Sequence, residues 1–375
     1  MNSVIHLATP YLFYTGTWIY NQIYNIESYE VVVFTQKKEI NPGFSYHNVI
    51  SIEDKPFHKR LINKIYRRIT YQKGMFFDED VKRIKPLLFH AHIGDEGWRW
   101  LRFSERCGIP LITSFYGMDV SKTSKIPEWR KRYHELFRKG RLFLVEGSFL
   151  KKQLIDIGCP PEKIIVQHLG VEIEKYQERK KDEKKKIRII QCSSFREKKG
   201  LKYTIQAIAK LKESNTDFDF VLVGGGDKPQ EQGIVELLKE YELTNKTIIK
   251  GKLSYNEMLD EMSNSDIFIH PSITGKDGDN EGGAPVVISD ASALGLPVVS
   301  SFHADIPEVV IHNKTGILCE EKNVEQLTEA LKVLINNSEL RFKMGYEAKE
   351  HIRKEYNLKT QIRKLEKIYD SVIEL

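Results

Sequence analysis

Short runs of β-branched and aromatic residues recur along this chain, each followed by a stretch whose apolar positions repeat every three or four residues. In the first half the runs are VIHLAT (4–9), EVVVFT (30–35), LLFHAH (87–92), PLITSF (110–115), LFLVEG (142–147) and KIIVQH (163–168). A charged stretch, ERKKDEKKK (178–186), interrupts them, and they resume as IRIIQC (187–192), FVLVG (220–224), TIIKG (247–251), IFIH (267–270) and PVVSS (297–301). Apolar strands alternating with helices predict parallel sheets covered on both faces. Two such sets predict an α/β protein of two facing doubly wound domains, residues 1–177 and 187–354, joined by the charged linker at 178–186. Ligands of such sheets sit outside the carboxyl ends of the strands, so the expected site is a cleft between the two domains. Residues from about 349 to 375 read as helical and mixed in charge.

Length and composition agree with two ordinary globular domains: 375 residues, 41% hydrophobic and 29% charged. No apolar run approaches the roughly 18–20 residues of a membrane span. The opening MNSVIHLATPYLF has no basic segment before an apolar one, so no secretory leader is expected. Cysteines at 107, 159, 192 and 319 lack CxxC or metal-type spacing, which predicts reduced thiols in the cytoplasm and no zinc site. The net charge of +6 is concentrated in KPFHKRLINKIYRRITYQKG (55–74), which has seven Lys/Arg and no acid. Phe57, Leu61, Ile65 and Ile69, with Ile62 and Tyr66 beside them, make a helix there amphipathic and basic. Two readings stay open: contact with an anionic membrane surface, or an apolar face packed on the helix's own domain.

The candidate chemistry lies in loops that follow strands. In DGDNEGGAPVVISDASALGLPVVSS (277–301), Pro285 suits the first turn of a helix, and Gly295 suits its end. Val287, Ala291 and Leu294 would share its apolar face, with Ile288 beside them. The amides of Gly282, Gly283 and Ala284 then lie at a helix N-terminus, an anion site for which a diphosphate is the natural occupant. A tight strand-to-helix turn would use the same glycines. Glu281 suits hydrogen bonds from sugar hydroxyls better than a phosphate. In SSFREKKGLKYTIQAIAKL (193–211), Arg196 and Lys199 follow a strand and can neutralise a diphosphate, or can simply form a solvated turn. VLVGGGDK (221–228) ends a strand in three glycines without completing a GxGxxG pattern. In the first half, His92 closes the strand that contains His90, as a functional or a core histidine, and SFYGMDVS (114–121) offers Tyr116, Gly117 and Asp119. VEGSFLKKQLIDIGCP (145–160) reads as a strand, a Ser-capped helix and a glycine stop.

These segments, with HAHIG, VEGSFLKKQLIDIGCPPEKIIVQHLGV, HPSITGKDGDNEGGAP and HADIPEVV, resemble family-four retaining glycosyltransferases of GT-B fold. The likeness runs from about residue 90 to 320 and is nearest to bacterial colanic acid and amylovoran biosynthesis enzymes. It implies two facing Rossmann-like domains, the first holding the acceptor and the second the nucleotide-sugar donor, with a final helix at about 355–375 crossing back to the first. It also implies a cytoplasmic enzyme that works without a metal or other cofactor on a UDP- or GDP-linked sugar. Its acceptor would be a glycan or a lipid-linked glycan in cell-surface polysaccharide biosynthesis.

The catalytic candidates are Glu281 and Lys199, matched to the family by position, with Arg196 as a substitute for the family's arginine and His92 from its place at the strand end. The resemblance assigns donor binding to Gly282, Gly283, Ala284, Asp290, Gly225, His270 and Ser194, and the acceptor side to Gly16, Tyr116 and Asp119. Three positions depart from the family pattern. The arginine five residues before the lysine is Ser194, the family's His-Gly pair is Tyr116-Gly117, and the second acid of the E-x7-E pattern is displaced from Ser289 to Asp290. Counted back from Gly295-Leu296-Pro297, Asp290 takes that second place, with a solvated aspartate as the alternative. Two rival functions remain: a nucleotide-sugar epimerase of the same architecture, and an inactive sugar-nucleotide-binding subunit. Nucleic acid is not an expected partner, because the basic residues are not interleaved with aromatics along a groove.

Overall fold

A computed structural model describes residues 1–12, 16–39, 44–176, 186–213 and 217–374. The chain divides into two units, Met1–Gly170 with Leu358–Leu375, and Val171–Asn357. Most of the charged 178–186 segment lies outside the described residues; Lys186 pairs with Asp217 and Asp219.

Seven parallel strands build the first unit: β1 Ser3–Leu7, β2 Glu30–Thr35, β3 Val49–Ser51, β4 Leu88–His92, β5 Leu111–Ser114, β6 Leu142–Val145 and β7 Ile164–Val166. Their spatial order is β3-β2-β1-β4-β5-β6-β7. Helices α1 Thr17–Tyr24, α2 Phe57–Thr70, α3 Asp78–Ile84, α4 Gly94–Cys107, α5 Met118–Ser121, α6 Pro127–Lys139 and α7 Ser148–Asp156 link them. The second unit has six parallel strands: β8 Ile187–Ser194, β9 Phe218–Gly225, β10 Thr247–Gly251, β11 Ile267–His270, β12 Val298–Ser301 and β13 Gly316–Cys319. Their order is β10-β9-β8-β11-β12-β13. Its helices are α8 Leu201–Glu213, α9 Lys228–Glu240, α10 Tyr255–Ser263, α11 Val286–Ala293, α12 Ile306–Val309, α13 Val324–Asn336 and α14 Ser338–Glu355.

Both sheets reverse strand order once, between β1 and β4 and between β8 and β11, and the loops at such a switch point diverge to leave a crevice. Each sheet is buried on both faces, by the β1–Phe89–Trp100 and Val4–Ile112–Tyr369 clusters in one unit and the Ile189–Leu331 and Val221–Ile288 clusters in the other. Continuous Val/Ile/Phe runs are what two-sided burial demands. The two strands without a run in the sequence, β3 and β13, are three- and four-residue strands at sheet edges, too short to stand out.

The boundaries differ from the pattern-based ones at two joints. Residues 171–176 belong to the second unit, where Val171 and Tyr176 pack with Ile352 and Tyr356 and Val171 N–H donates to Tyr356 O at 2.9 Å. The returning helix, α15, spans Leu358–Ile373 and turns Leu358, Ile362, Leu365, Tyr369 and Val372 into the first unit. That spacing is one face of a helix. Glu366 anchors it by accepting from the backbone N–H groups of Glu27 (2.8 Å) and Ser28 (2.7 Å). Helix α7 is capped by Gly147, with Ser148 as its first residue rather than its cap.

Candidate functional site

In the second unit, β8 and β11 end side by side at the switch point, and the loops that follow them carry the site. After Ser194 the chain makes one 3-10 turn, Glu197–Lys199, closed by Gly200 in the left-handed region (φ 67°). Only glycine fits there, since a Cβ would lie 1.9 Å from the Pro271 carbonyl oxygen. This close approach brings the basic turn against the loop that runs from His270 to α11.

Three cations and two carboxylates meet at that contact. Lys199 Nζ lies 2.9 Å from the Glu281 carboxylate, which also accepts from Ser272 Oγ at 2.9 Å. Lys198, nearly buried, reaches Asn280 O (2.8 Å), Asp279 (3.4 Å) and Glu281 (3.4 Å), and Arg196 is ion-paired with Asp279. The Glu281 N–H donates to His303 Nε2 at 3.2 Å, and His303 Nδ1 bonds the Glu321 carboxylate at 2.6 Å. Burial alone would raise the Glu281 pKa, but Lys199 foremost, with His270 and Lys198, holds it well below the usual carboxylate range. Burial lowers the Lys199 pKa, and the neighbouring Glu281 opposes that. The result is an ionised pair in a nearly dry pocket with one more positive than negative group among the five.

Of the other donor-side candidates, His270 borders this cluster. His270 is fully buried, its pKa lowered by burial, and its Nε2 stands 3.9 Å from Glu281. Ser194 pairs in register with Gly225 at the carboxyl edge of the sheet. Gly282 (φ 74°) and Gly283 are buried bends, and α11 starts at Val286 with Pro285 as its cap, one residue later than expected. The glycine and Ala284 amides therefore precede the helix rather than form its first turn. Ser193 Oγ, Asn280 Oδ1 and the His270 ring nitrogens are buried without a hydrogen-bond partner in the structure. Buried polar groups are nearly always paired, so the open valences of Ser193 and Asn280 are available to a further partner.

Asp290 is neither solvated nor open to the site through Oδ1. It is 2% exposed, and Oδ1 accepts from the hydroxyls of Tyr176 (2.7 Å) and Tyr255 (2.9 Å). Burial pushes its carboxyl up to about 6 against the opposing pull of the two hydroxyls. From Ile288 onward helix α11 is buried on every side, so Ser289, Asp290 and Ser292 are inside, whereas Val287 in its first turn is only half-buried.

In the first unit the structure places His92 and Asp119 inside hydrogen-bond networks. His92 is the last residue of β4 and is fully buried. Its Nε2 shares a 2.8 Å hydrogen bond with His6 Nδ1, and its Nδ1 shares one of 2.7 Å with Tyr116 Oη. The chain continues from His6 Nε2 to Tyr369 Oη (3.2 Å), to His90 Nδ1 (2.6 Å), and from His90 Nε2 to Ser114 Oγ (2.7 Å). With one proton per neutral ring, each histidine can donate at one nitrogen and accept at the other, so none needs a charge. Burial lowers all three pKa values, His90 to about 3. Their nitrogens lie within 4.8 Å of one another, the one such metal-competent cluster among the described residues, but every nitrogen is engaged by a neighbour.

Asp119 is likewise spent on structure. Its carboxylate accepts from the N–H groups of Gly94 (2.9 Å), Gly117 (2.8 Å) and Tyr116 (3.2 Å), which ties the β5–α5 turn to the start of α4. Gly16 caps α1, and that helix meets the group through Trp18, whose ring lies 5.8 Å from that of Tyr116.

Sequence reasoning did not single out Asp279, Lys198 and His303. Lys198 stands next to the lysine that was chosen, and His303 opens the quoted HADIPEVV segment, but that both adjacent lysines turn inward is decided by the 3-10 turn.

Comparison with protein families matches residues 172–351 to the family described as Glycosyl transferases group 1 and residues 27–175 to Glycosyltransferase Family 4. A protein named as a colanic acid biosynthesis glycosyltransferase, WcaL of Escherichia coli (strain K12), is 34% identical over 247 residues, 65% of this chain and 60% of WcaL. The amylovoran biosynthesis glycosyltransferase AmsK of Erwinia amylovora is 35% identical over 221 residues, 59% of this chain and 54% of AmsK. The matches thus span between half and two thirds of those relatives' length. Among solved structures, sucrose-phosphate synthase from Thermosynechococcus elongatus superposes with a TM-score of 0.81 at 14% identity, covering 100% of each chain. Anabaena Alr3699/HepE, solved with UDP and glucose, gives 0.79 at 14% identity, over 99% of this chain and 100% of that one. At such identities the likeness is one of fold, two Rossmann-like domains of GT-B type.

Proposed function

The chain belongs to the GT-B glycosyltransferases, a Family 4 domain followed by a group 1 domain, and we propose that it is a retaining glycosyltransferase of cell-surface polysaccharide biosynthesis. The donor is a UDP- or GDP-linked sugar bound by the second unit, and the acceptor is a glycan or lipid-linked glycan. The protein works in the cytoplasm, peripherally on the inner face of the plasma membrane through residues 55–74. The observation that carries the reading is Glu281, its carboxylate ionised and held by Lys199 and its backbone N–H held by His303.

In the reaction the anomeric carbon–oxygen bond to the diphosphate breaks and a bond to the acceptor oxygen forms on the same face of the sugar. The acceptor proton passes to the departing phosphate oxygen. Lys199, Lys198 and Arg196 carry the charge that develops on the diphosphate, so this reading requires no metal ion. Glu281 keeps lone pairs free for sugar hydroxyls while its carboxylate holds Lys199 in place. The Gly282–Ala284 amides approach the donor without bulk to block them.

Competition binding with UDP-, GDP- and ADP-sugars, followed by turnover of Glu281→Ala, tests this. We expect one nucleotide class to compete and the variant to lose at least about a hundredfold in turnover while still binding the free nucleotide. Normal turnover by the variant would refute the assignment, and conversion of donor with no acceptor present would show an epimerase instead.

A further inference from the structure

Helix α2 is inside out. At about 100° per residue, Phe57, Leu61, Ile62, Ile65 and Ile69 gather in an arc of roughly 140°. A helix of a globular domain normally turns such a stripe inward. Here the five side chains are exposed, by 71%, 48%, 45%, 53% and 73% respectively. The one buried residue of the helix is Asn63, whose side-chain amide donates to Gln36 Oε1 at 2.8 Å. The inward side is otherwise polar: Lys59 lies 5.6 Å from the Phe76 ring, and Arg67 is half-buried. The alternative in which α2 serves its own core is therefore excluded.

The helix is also held firmly in that orientation. Just before it, Lys55 pairs with Asp80 at 2.7 Å, and just after it the buried Lys73 pairs with Glu96. Tyr71, in the left-handed region at the C-cap, is half exposed beneath the Arg132 guanidinium. A contiguous apolar stripe on a rigid support marks an interaction surface.

Charge decides the occupant. Arg60, Lys64 and Arg68 are exposed along one border of the stripe, and residues 55–74 contain no acid. A second copy docked through this face would set those cations against their own kind with no carboxylate of the segment to pair them. Among the described residues no helix is long and apolar enough to span a membrane, and α2 at 14 residues is only about 21 Å long. We propose that α2 lies flat in the interface of an anionic bilayer, the stripe at the acyl boundary and Arg60, Lys64 and Arg68 at the lipid phosphates. The inference deepens the peripheral-membrane part of the function proposed above and rests on it; the donor chemistry stands apart. Docking by this helix would keep the first unit on the surface where a lipid-linked acceptor resides.

The test is co-sedimentation of the full chain with phosphatidylcholine vesicles, with and without about a third phosphatidylglycerol. Binding should need the anionic lipid and fall steeply with salt. Ile65→Glu with Ile69→Glu should lower partitioning at least about tenfold, and Arg60→Gln, Lys64→Gln, Arg68→Gln together about a hundredfold, from roughly fivefold per charge. All five positions are exposed, so melting temperature and nucleotide binding should match the parent and confirm folding. Equal binding to neutral and anionic vesicles, or unchanged binding by both variants, would overturn the proposal. So would a concentration-dependent dimer abolished by Ile65→Glu, which would assign the face to a second copy. Loss of nucleotide binding with vesicle binding intact would count against the donor reading alone.

Discussion

Replacing Asp290 by asparagine tests how this buried acid of α11 is held. The carboxyl group is buried in α11 and takes two tyrosine hydroxyls on one oxygen, yet burial pushes its pKa up to about 6 from 3.8. Between those values the native state keeps a proton that the unfolded state has lost. The contribution to stability is therefore largest in acid, and it declines as pH rises from about 4 through 6. A shift of that size amounts to about 3 kcal/mol in total, of which about 1.4 kcal/mol falls between pH 5 and 7.5. Asparagine stays neutral throughout and keeps a carbonyl oxygen for the hydroxyls. The stability of Asp290→Asn relative to the parent should thus improve by about 1.4 kcal/mol from pH 5 to 7.5.

Urea denaturation followed by circular dichroism is the assay. Tryptophan fluorescence serves as its control, because Trp18, Trp98, Trp100 and Trp129 all lie in the first unit and should not register the substitution. A difference that does not vary with pH would refute the reasoning. It would mean that the two hydroxyls outweigh burial and that Asp290 is ionised in the folded protein across the range.

Three further outcomes are expected. Because burial lowers the pKa of His6, His90 and His92, the unfolded chain binds protons below about 6.5 that the native unit does not. Fluorescence-monitored stability of the first unit should then fall as pH drops from 6.5 to 5, with Asp119 (raised to about 6 by burial) working in the opposite sense. A slope below one proton would show that the cluster is not neutral. Gly200→Ala should cost at least about 1–2 kcal/mol from the left-handed backbone alone, and should weaken nucleotide binding by moving Lys199, as measured by calorimetry. His303→Ala leaves the buried Glu281 N–H unpaired and should raise the donor dissociation constant at least about fivefold, with partial recovery in His303→Gln; an unchanged constant would show that His303 does not position the loop.

Much of this protein was legible as a pattern. The β-branched runs located eleven of the strands to within two residues at most ends, because backbone pairing and a two-sided apolar environment impose a local signature. The glycines of DGDNEGGAP and the lysines of REKKG marked the edge of the second sheet where the charged cluster forms, since the left-handed backbone at Gly282 and Gly200 favours residues without a side chain. Partners across the chain were not legible. His6 meets His92 from 86 residues away, Tyr369 reaches His90 from 279, and Tyr176 and Tyr255 close over Asp290 from 114 and 35. No spacing rule joins such positions; only the stacking of strands and helices does. Helix α2 shows the division most plainly. Its sequence determined that one face would be apolar and that basic residues would border it, because helical periodicity is local. Which face met the protein body was decided by the polar anchors Asn63, Lys55 and Lys73, which turned the apolar face to the outside.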